Sequence, residues 1–281
     1  MMRFGFHISI AGDLSKAADR ASHLSCQTIQ IFAGNPRGWK SRDLDPGKAF
    51  ALREALHQKG ISPLFVHMPY LPNLAARDDA LYEKSIQVLC EMLRRSDMLG
   101  ASGLVTHPGH GGFGNENKSD QKVSDAINRA LGVVRNDVKI LLENTAGQGR
   151  EIGSRFDRIG TLLEKVNDQG RVGICLDTAH AFAAGYDLST RKGLDLALRE
   201  FGRTIGRDRL CLLHLNDSKA PLGSKVDRHW HIGEGLIGTD GIQRIVNHPL
   251  LKGLPAIMET PKKSEDDDIR NMQTVCRLAA G

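Results

Sequence analysis

Cysteine is scarce and scattered in this sequence. The five positions, Cys26, Cys90, Cys175, Cys211 and Cys276, are odd in number and form no C-x-x-C pair. That spacing argues against a disulfide framework and against a zinc ribbon, and it predicts reduced thiols in a cytoplasmic protein. Long apolar runs are also missing. None approaches the roughly 18 residues of a membrane-spanning helix, so no membrane partner is expected. The stretch from Met1 to Ile10 has no long apolar core after a basic start, so no signal peptide is expected. Internal repeats and low-complexity linkers are absent too, which leaves neither a solenoid nor a string of tethered domains.

What is present has ordinary globular proportions. The 281 residues are 40% hydrophobic and 25% charged, enough to bury a sizeable core. A single domain over residues 1–281 is the economical expectation. The formal charge of +5 and pI near 9.0 are compatible with a polyanionic partner but too mild to establish one.

Short apolar runs alternate with longer amphipathic stretches. Eight strands are predicted: Arg3–His7, Thr28–Phe32, Leu64–His67, Gly103–His107, Lys139–Glu143, Val172–Asp177, Leu210–Leu215 and Ala256–Glu259. Helical patterns follow each of them, at 14–24, 47–59, 80–99, 120–134, 156–166, 194–201, 241–246 and 265–278. Asp13 and Ser264 stand where N-caps belong. In the third helix, Leu81, Ser85, Val88, Leu89, Met92 and Leu93 mark the core-facing stripe. Eight β-then-α units predict a closed parallel (β/α)8 barrel rather than an open sheet. The long segments 33–46, 68–79, 108–119 and 216–238 all follow strands, so they fall on the C-terminal face where barrel active sites are built.

The strand ends carry the chemistry. The third to eighth strands deliver His67, His107, Glu143, Asp177 (with His180 close behind), His214 and Glu259. The run Asp227-Arg228-His229 adds two more side chains on one side of an extended segment. A lone histidine or aspartate at a strand end is more often a satisfied polar group than a ligand. Nine such residues on one rim are a different matter. Imidazoles and carboxylates together form a ligand set for Zn2+ or Mn2+. Nine exceed one site and fit two or three ions sharing a bridging carboxylate, the usual device for phosphoester hydrolysis. His23, His57 and His248 sit in or beside helical segments and read as surface or packing residues. His7 closes the first strand without an evident partner, and His110 and His231 lie in loops beside the rim.

Several segments, taken together and in order, resemble bacterial endonuclease IV. They are 30–39 (QIFAGNPRGW), 67–74 (HMPYLPNL), 106–112 (THPGHGG), 142–145 (LENT), 175–180 (CLDTAH), 213–218 (LHLNDS), 225–229 (KVDRH) and 258–261 (METP). The similarity runs nearly end to end. Pro72 and Trp230 depart from the family pattern, outside the proposed ligands.

The resemblance implies three zinc ions per chain, with Mn2+ an alternative in part. His67 and His107 would hold the first ion, and Glu143 would bridge first and second. Asp177, His214 and Glu259 would complete the second, and His180, Asp227 and His229 would hold the third. Glu143 and Glu259 would be the catalytic residues, while Arg37 and Tyr70 would enter the DNA at the lesion. The implied reaction is hydrolysis of the phosphodiester 5′ to an abasic site in double-stranded DNA, leaving a 3′-hydroxyl, by a monomer. Lys118, Lys219, Lys225, Arg228, Lys262 and Lys263 flank the rim and would meet phosphates. A sugar isomerase or epimerase on the same barrel is the main rival, and five candidate histidine ligands count against it. A lesion-binding module without catalysis is a further rival, and the intact ligand set counts against it.

Overall fold

The computed structural model describes residues 1–39, 42–111 and 116–280, the side chain of Glu265 excepted. Gly112 of the 106–112 motif and parts of the 33–46 and 108–119 segments therefore lie outside the described residues. The strands in chain order are β1 (Arg3–His7), β2 (Thr28–Phe32), β3 (Leu64–His67), β4 (Gly103–Thr106), β5 (Lys139–Glu143), β6 (Val172–Asp177), β7 (Leu210–His214), β8 (Asp217–Ser218), β9 (His229–Trp230) and β10 (Pro255–Met258). The helices are α1 (Lys16–His23), α2 (Pro46–Gln58), α3 (Asp79–Met98), α4 (Glu116–Val133), α5 (Phe156–Glu164), α6 (Thr178–Ala184), α7 (Arg191–Thr204), α8 (Gly238–Asn247) and α9 (Glu265–Ala279).

Strands β1 to β7 and β10 close a barrel in chain order, every neighbouring pair parallel, and β10 returns to β1 with Gly5 opposite Ile257. The (β/α)8 architecture expected from the alternating pattern is the one observed. Strand ends shift by a residue: β4 stops at Thr106, β7 at His214 and β10 at Met258. Among the described residues the seven-residue α6, the β8–β9 ribbon and two single turns at Gln169–Arg171 and Arg207–Arg209 escape the sequence pattern. Among the described residues no helix is long and apolar enough to cross a membrane.

Side-chain alternation divides the interior in two. Val66, Leu104, Ile140, Leu142, Ile174, Leu213 and Ala256 join the large core beneath the helices. Phe65, Val105, Leu141, Cys175, Leu212 and Ile257 form a second cluster of their own. They come from six strands at alternate positions, as residues pointing into a barrel must. Helix α3 buries Tyr82, Ser85, Ile86, Leu89, Cys90, Met92, Leu93, Arg95 and Ser96, so its buried face is broader than expected, with Leu81 and Val88 on the flanks. Ser264 caps α9 in a capping box with Asp267. Asp13 is not an N-cap: Ser15 holds that position, and Asp13 accepts from the Ser15 N–H instead.

Candidate metal centre

The barrel plug predicts where the polar side chains go. His67, His107, Glu143, Asp177, His214 and Glu259 each lie two residues beyond a plug residue: Phe65, Val105, Leu141, Cys175, Leu212 and Ile257 respectively. A period of two keeps the same side of the strand, so all six enter the barrel mouth. The remaining two strands obey the same offset. His7 follows Gly5 and Gln30 follows Thr28, and these pairs lie side by side in register. Every barrel strand therefore places one polar side chain in this layer. His180 arrives from the first turn of α6, where the Asp177 carboxylate caps the helix by accepting the His180 N–H at 2.7 Å. Asp227 and His229 come from the segment after β7, and His229 is fixed by pairing with Ser218 in the β8–β9 ribbon.

The ligand atoms converge in three overlapping groups, each within 4.8 Å: His67, His107 and Glu143; Glu143, Asp177, His214 and Glu259; Asp177, His180 and His229. Glu143 sits between them. Its Oε2 is 3.2 Å from His67 Nε2 and 3.1 Å from His107 Nε2, and its Oε1 is 2.9 Å from His214 Nδ1 and 3.4 Å from His180 Nδ1. Asp227 Oδ1 lies 3.3 Å from His180 Nε2 and 3.5 Å from His229 Nε2. Asp177 also reaches His229, at 3.5 Å, so it faces both the second and the third group. Glu143, Asp177 and His214 are fully buried, whereas the Asp227 side chain is 41% exposed.

These groups fit bound metal. Ligand atoms about 2.1 Å from a tetrahedral zinc ion lie roughly 3.4 Å apart, close to the separations above. Four imidazoles spend their outward nitrogen on an oxygen: His67 on Met68 O at 2.7 Å, His180 on Asn144 O at 2.9 Å, His229 on Glu259 O at 3.2 Å and His214 on Gln30 Oε1 at 2.9 Å. A carbonyl oxygen accepts only from an N–H, so the inward nitrogen keeps its lone pair for a cation. The carboxylates are steadied as well. Asn216 donates to Asp177 Oδ2 at 2.7 Å and accepts from the Glu259 N–H at 2.7 Å. Gln30 donates to Glu259 Oε1 at 2.7 Å, and His7 Nδ1 lies 3.1 Å from the same oxygen.

The protonation balance of the protein alone agrees. Burial would push the Glu143 carboxyl up, but His214 and His107 outweigh it and hold it well below the usual carboxylate range. Burial also opposes protonation of His180, yet Asp177, Asp227 and Glu143 raise it well above the ordinary histidine value. A cluster this anionic draws protons onto its own histidines, the places a cation takes by displacing them.

Tyr70 lines the opening, and Arg37 lies outside its lining. Tyr70 is 63% exposed, its ring 5.3 Å from Phe32 and 6.2 Å from His67, and its N–H donates to Pro36 O, tying the two loops together. Arg37 is exposed on the first of those loops. The cleft between Tyr70 and the candidate ligands is about 380 Å³. His231 is buried against Asn271, His248 pairs with Asp195, and His23 and His57 are exposed. His7 and Gln30, neither assigned a partner from sequence, belong to the site. The two-residue offset from Gly5 and Thr28 was the available signal for both.

The family model for the xylose isomerase-like TIM barrel matches residues 18–277. The chain is 47% identical over 280 residues to a probable endonuclease 4 of Methanoculleus marisnigri, covering 99% of both chains. It is 43% identical over 281 residues to one of Cenarchaeum symbiosum, covering 99% of this chain and all of the other. The crystal structure of endonuclease IV from Thermus thermophilus superposes with a TM-score of 0.88 at 37% identity, over 99% of each chain. A D-tagatose 3-epimerase-like protein shares the fold alone, with a TM-score of 0.74 at 17% identity. With relatives of this similarity along its whole length, the chain belongs to the endonuclease IV family of xylose isomerase-like TIM barrels.

Proposed function

We propose that this chain is a zinc-dependent apurinic/apyrimidinic endonuclease, hydrolysing the phosphodiester 5′ to an abasic site in double-stranded DNA to leave a 3′-hydroxyl during base excision repair. It acts as a cytoplasmic monomer carrying three Zn2+ ions, with Mn2+ an alternative in part. The reading rests on one observation above all: four imidazoles commit one nitrogen to an oxygen and aim the other into a shared carboxylate cluster. His67 and His107 would hold the first ion, Asp177, His214 and Glu259 the second, and His180, Asp227 and His229 the third, with Glu143 bridging first and second. Metal in such a cluster supplies Lewis-acid stabilisation of a phosphodiester's charge and makes water a nucleophile at neutral pH.

The chain's own residues do the rest. Glu143 fixes the spacing of the two histidine sets through its two oxygens. Gln30 holds Glu259 and His214 together from below, so Glu259 Oε2 stays turned toward His214, 3.4 Å away. Tyr70 overhangs the cleft where an extruded abasic sugar would enter, Arg37 stands on the neighbouring loop, and their stacking would fill the gap left in the duplex. No protein nucleophile is required.

A duplex with a single tetrahydrofuran abasic analogue tests the reading. The expected product is one nick 5′ to the analogue, with an end that a DNA polymerase extends directly, abolished by chelator and restored by Zn2+. An uncut duplex, or an end that needs prior trimming, would count against it. The rival sugar epimerase predicts no nick and one or two metals per chain.

A further inference from the structure

The segment between β7 and α8 carries Asp227 and His229, yet it has little regular structure of its own. Its organisation runs through Asp217, the first residue of β8, a fully buried carboxylate. Among the described residues its hydrogen-bond partners are backbone N–H groups. Oδ1 accepts from Ser218 at 2.7 Å and Ile237 at 3.0 Å, Oδ2 from Gly233 and Gly235 at 3.0 Å each, and the Gly238 N–H is shared between both oxygens at 3.2–3.3 Å. Four of these five amides belong to the returning limb, residues 233–238. The carboxylate thus locks the start of the segment to its end.

The limb is shaped for this contact. Gly233 and Gly238 hold left-handed backbone, with φ of 81° and 72°. A Cβ on Gly235 would sit 2.4 Å from Asp217 Oδ1 and 2.5 Å from Ser218 O, so only glycine lets the chain close on the carboxylate. Successive N–H groups turned on one anion form a nest. The lock adjoins the ligand-bearing stretch directly: Asp217 pairs with Trp230 and Ser218 with His229 in the β8–β9 ribbon, and Lys219 N–H donates to Arg228 O.

We infer that Asp217 is a positioning residue dedicated to the Asp227–His229 pair, setting one metal site of three without touching metal. The residues of the other two groups sit on barrel strands or immediately after them, and among the described residues none of them hydrogen-bonds to the 233–238 limb. His180 stands on α6, directly after β6. Loss of Asp217 therefore loosens the third site and spares the first and second. The inference rests on the reading of Asp227 and His229 as zinc ligands.

The experiment is zinc titration against a competing chromogenic chelator, with elemental analysis, on the wild-type chain, Asp217→Asn and Gly235→Ala. The substitution at 217 keeps the size and removes the anion; the one at 235 keeps the anion and forces the limb away. Wild type should bind three zinc ions. Both variants should bind two with wild-type affinity and the third about 10- to 100-fold more weakly, as for lost outer partners of metal ligands. Circular dichroism of the zinc-loaded variants should keep the wild-type helical signal. Three ions at wild-type affinity in a folded Asp217→Asn would overturn the inference. If that variant does not fold, Gly235→Ala decides by the same two outcomes. A wild-type chain with fewer than three zinc ions would overturn the three-ion reading and the inference with it, visible without any variant.

Discussion

Glu143 offers one oxygen to His67 and His107 and the other to His214 and His180, so truncating it removes the spacer between the histidine sets. Glu143→Ala should reduce nicking of an abasic duplex to background while binding of that duplex falls much less, because loops and basic residues carry binding. Near-normal turnover would show that the site is not built around this carboxylate. Gln30→Ala tests the layer below. Losing its bonds to Glu259 and His214 should weaken zinc binding about 10- to 100-fold, read by chelator competition. Tyr70→Ala should leave zinc content unchanged and lower the preference for abasic over intact duplex by roughly 5- to 150-fold, the equivalent of a base–aromatic stacking contact of about 1–3 kcal/mol. Retention of the full preference would place lesion choice in the shape of the cleft alone. The ligand candidates were legible because a histidine or carboxylate closing an apolar strand is conspicuous. Gln30 was not, since glutamine in a strand looks like any polar residue until its alignment with Thr28 and the barrel interior is known.

The elements were legible where burial is periodic and opaque where hydrogen bonds alone decide. The barrel strands show as apolar runs because both faces are covered. α6 is seven residues long and begins immediately after β6, too short to show a stripe and hidden inside the CLDTAH motif. The β8–β9 ribbon is two residues long on each side and fixed by backbone pairing, which leaves no hydrophobic signature. Arg95 on α3 belongs to the same class. Its guanidinium is 5% exposed, donates to Ala33 O at 3.0 Å and Arg42 O at 2.8 Å, and pairs with Glu91. It thereby holds the loop bearing Arg37 at two places. Arg95→Ala strands two carbonyls and should cost about 1–3 kcal/mol in chemical denaturation. It should also lower abasic preference in the manner of Tyr70→Ala, since Tyr70 is tied to that loop through Pro36 O. Unchanged preference in a destabilised variant would limit Arg95 to stability.

Over the whole molecule the formal charge is only +5, so attraction to DNA has to come from where the cations stand rather than from their number. Lys219 packs over the Trp230 ring and Lys262 pairs with Asp268, so each has a partner within the protein. Arg228 is exposed beside Asp227 on the metal face. Arg228→Ala should weaken intact and abasic duplexes alike and reduce the slope of log affinity against log salt by about one. A selective loss for abasic duplex would make it a lesion contact instead.

The barrel closes by pairing β1 with β10, and at that seam His7 meets Glu259 across 252 residues of sequence. During synthesis the amino-terminal half emerges first, with His67 and His107 already in hand, but the rim stays open until Glu259 has left the ribosome. A half-made chain therefore holds several imidazoles and no enclosed site. For a protein proposed to cut DNA at abasic sites, this order of assembly withholds the blade until the whole handle exists.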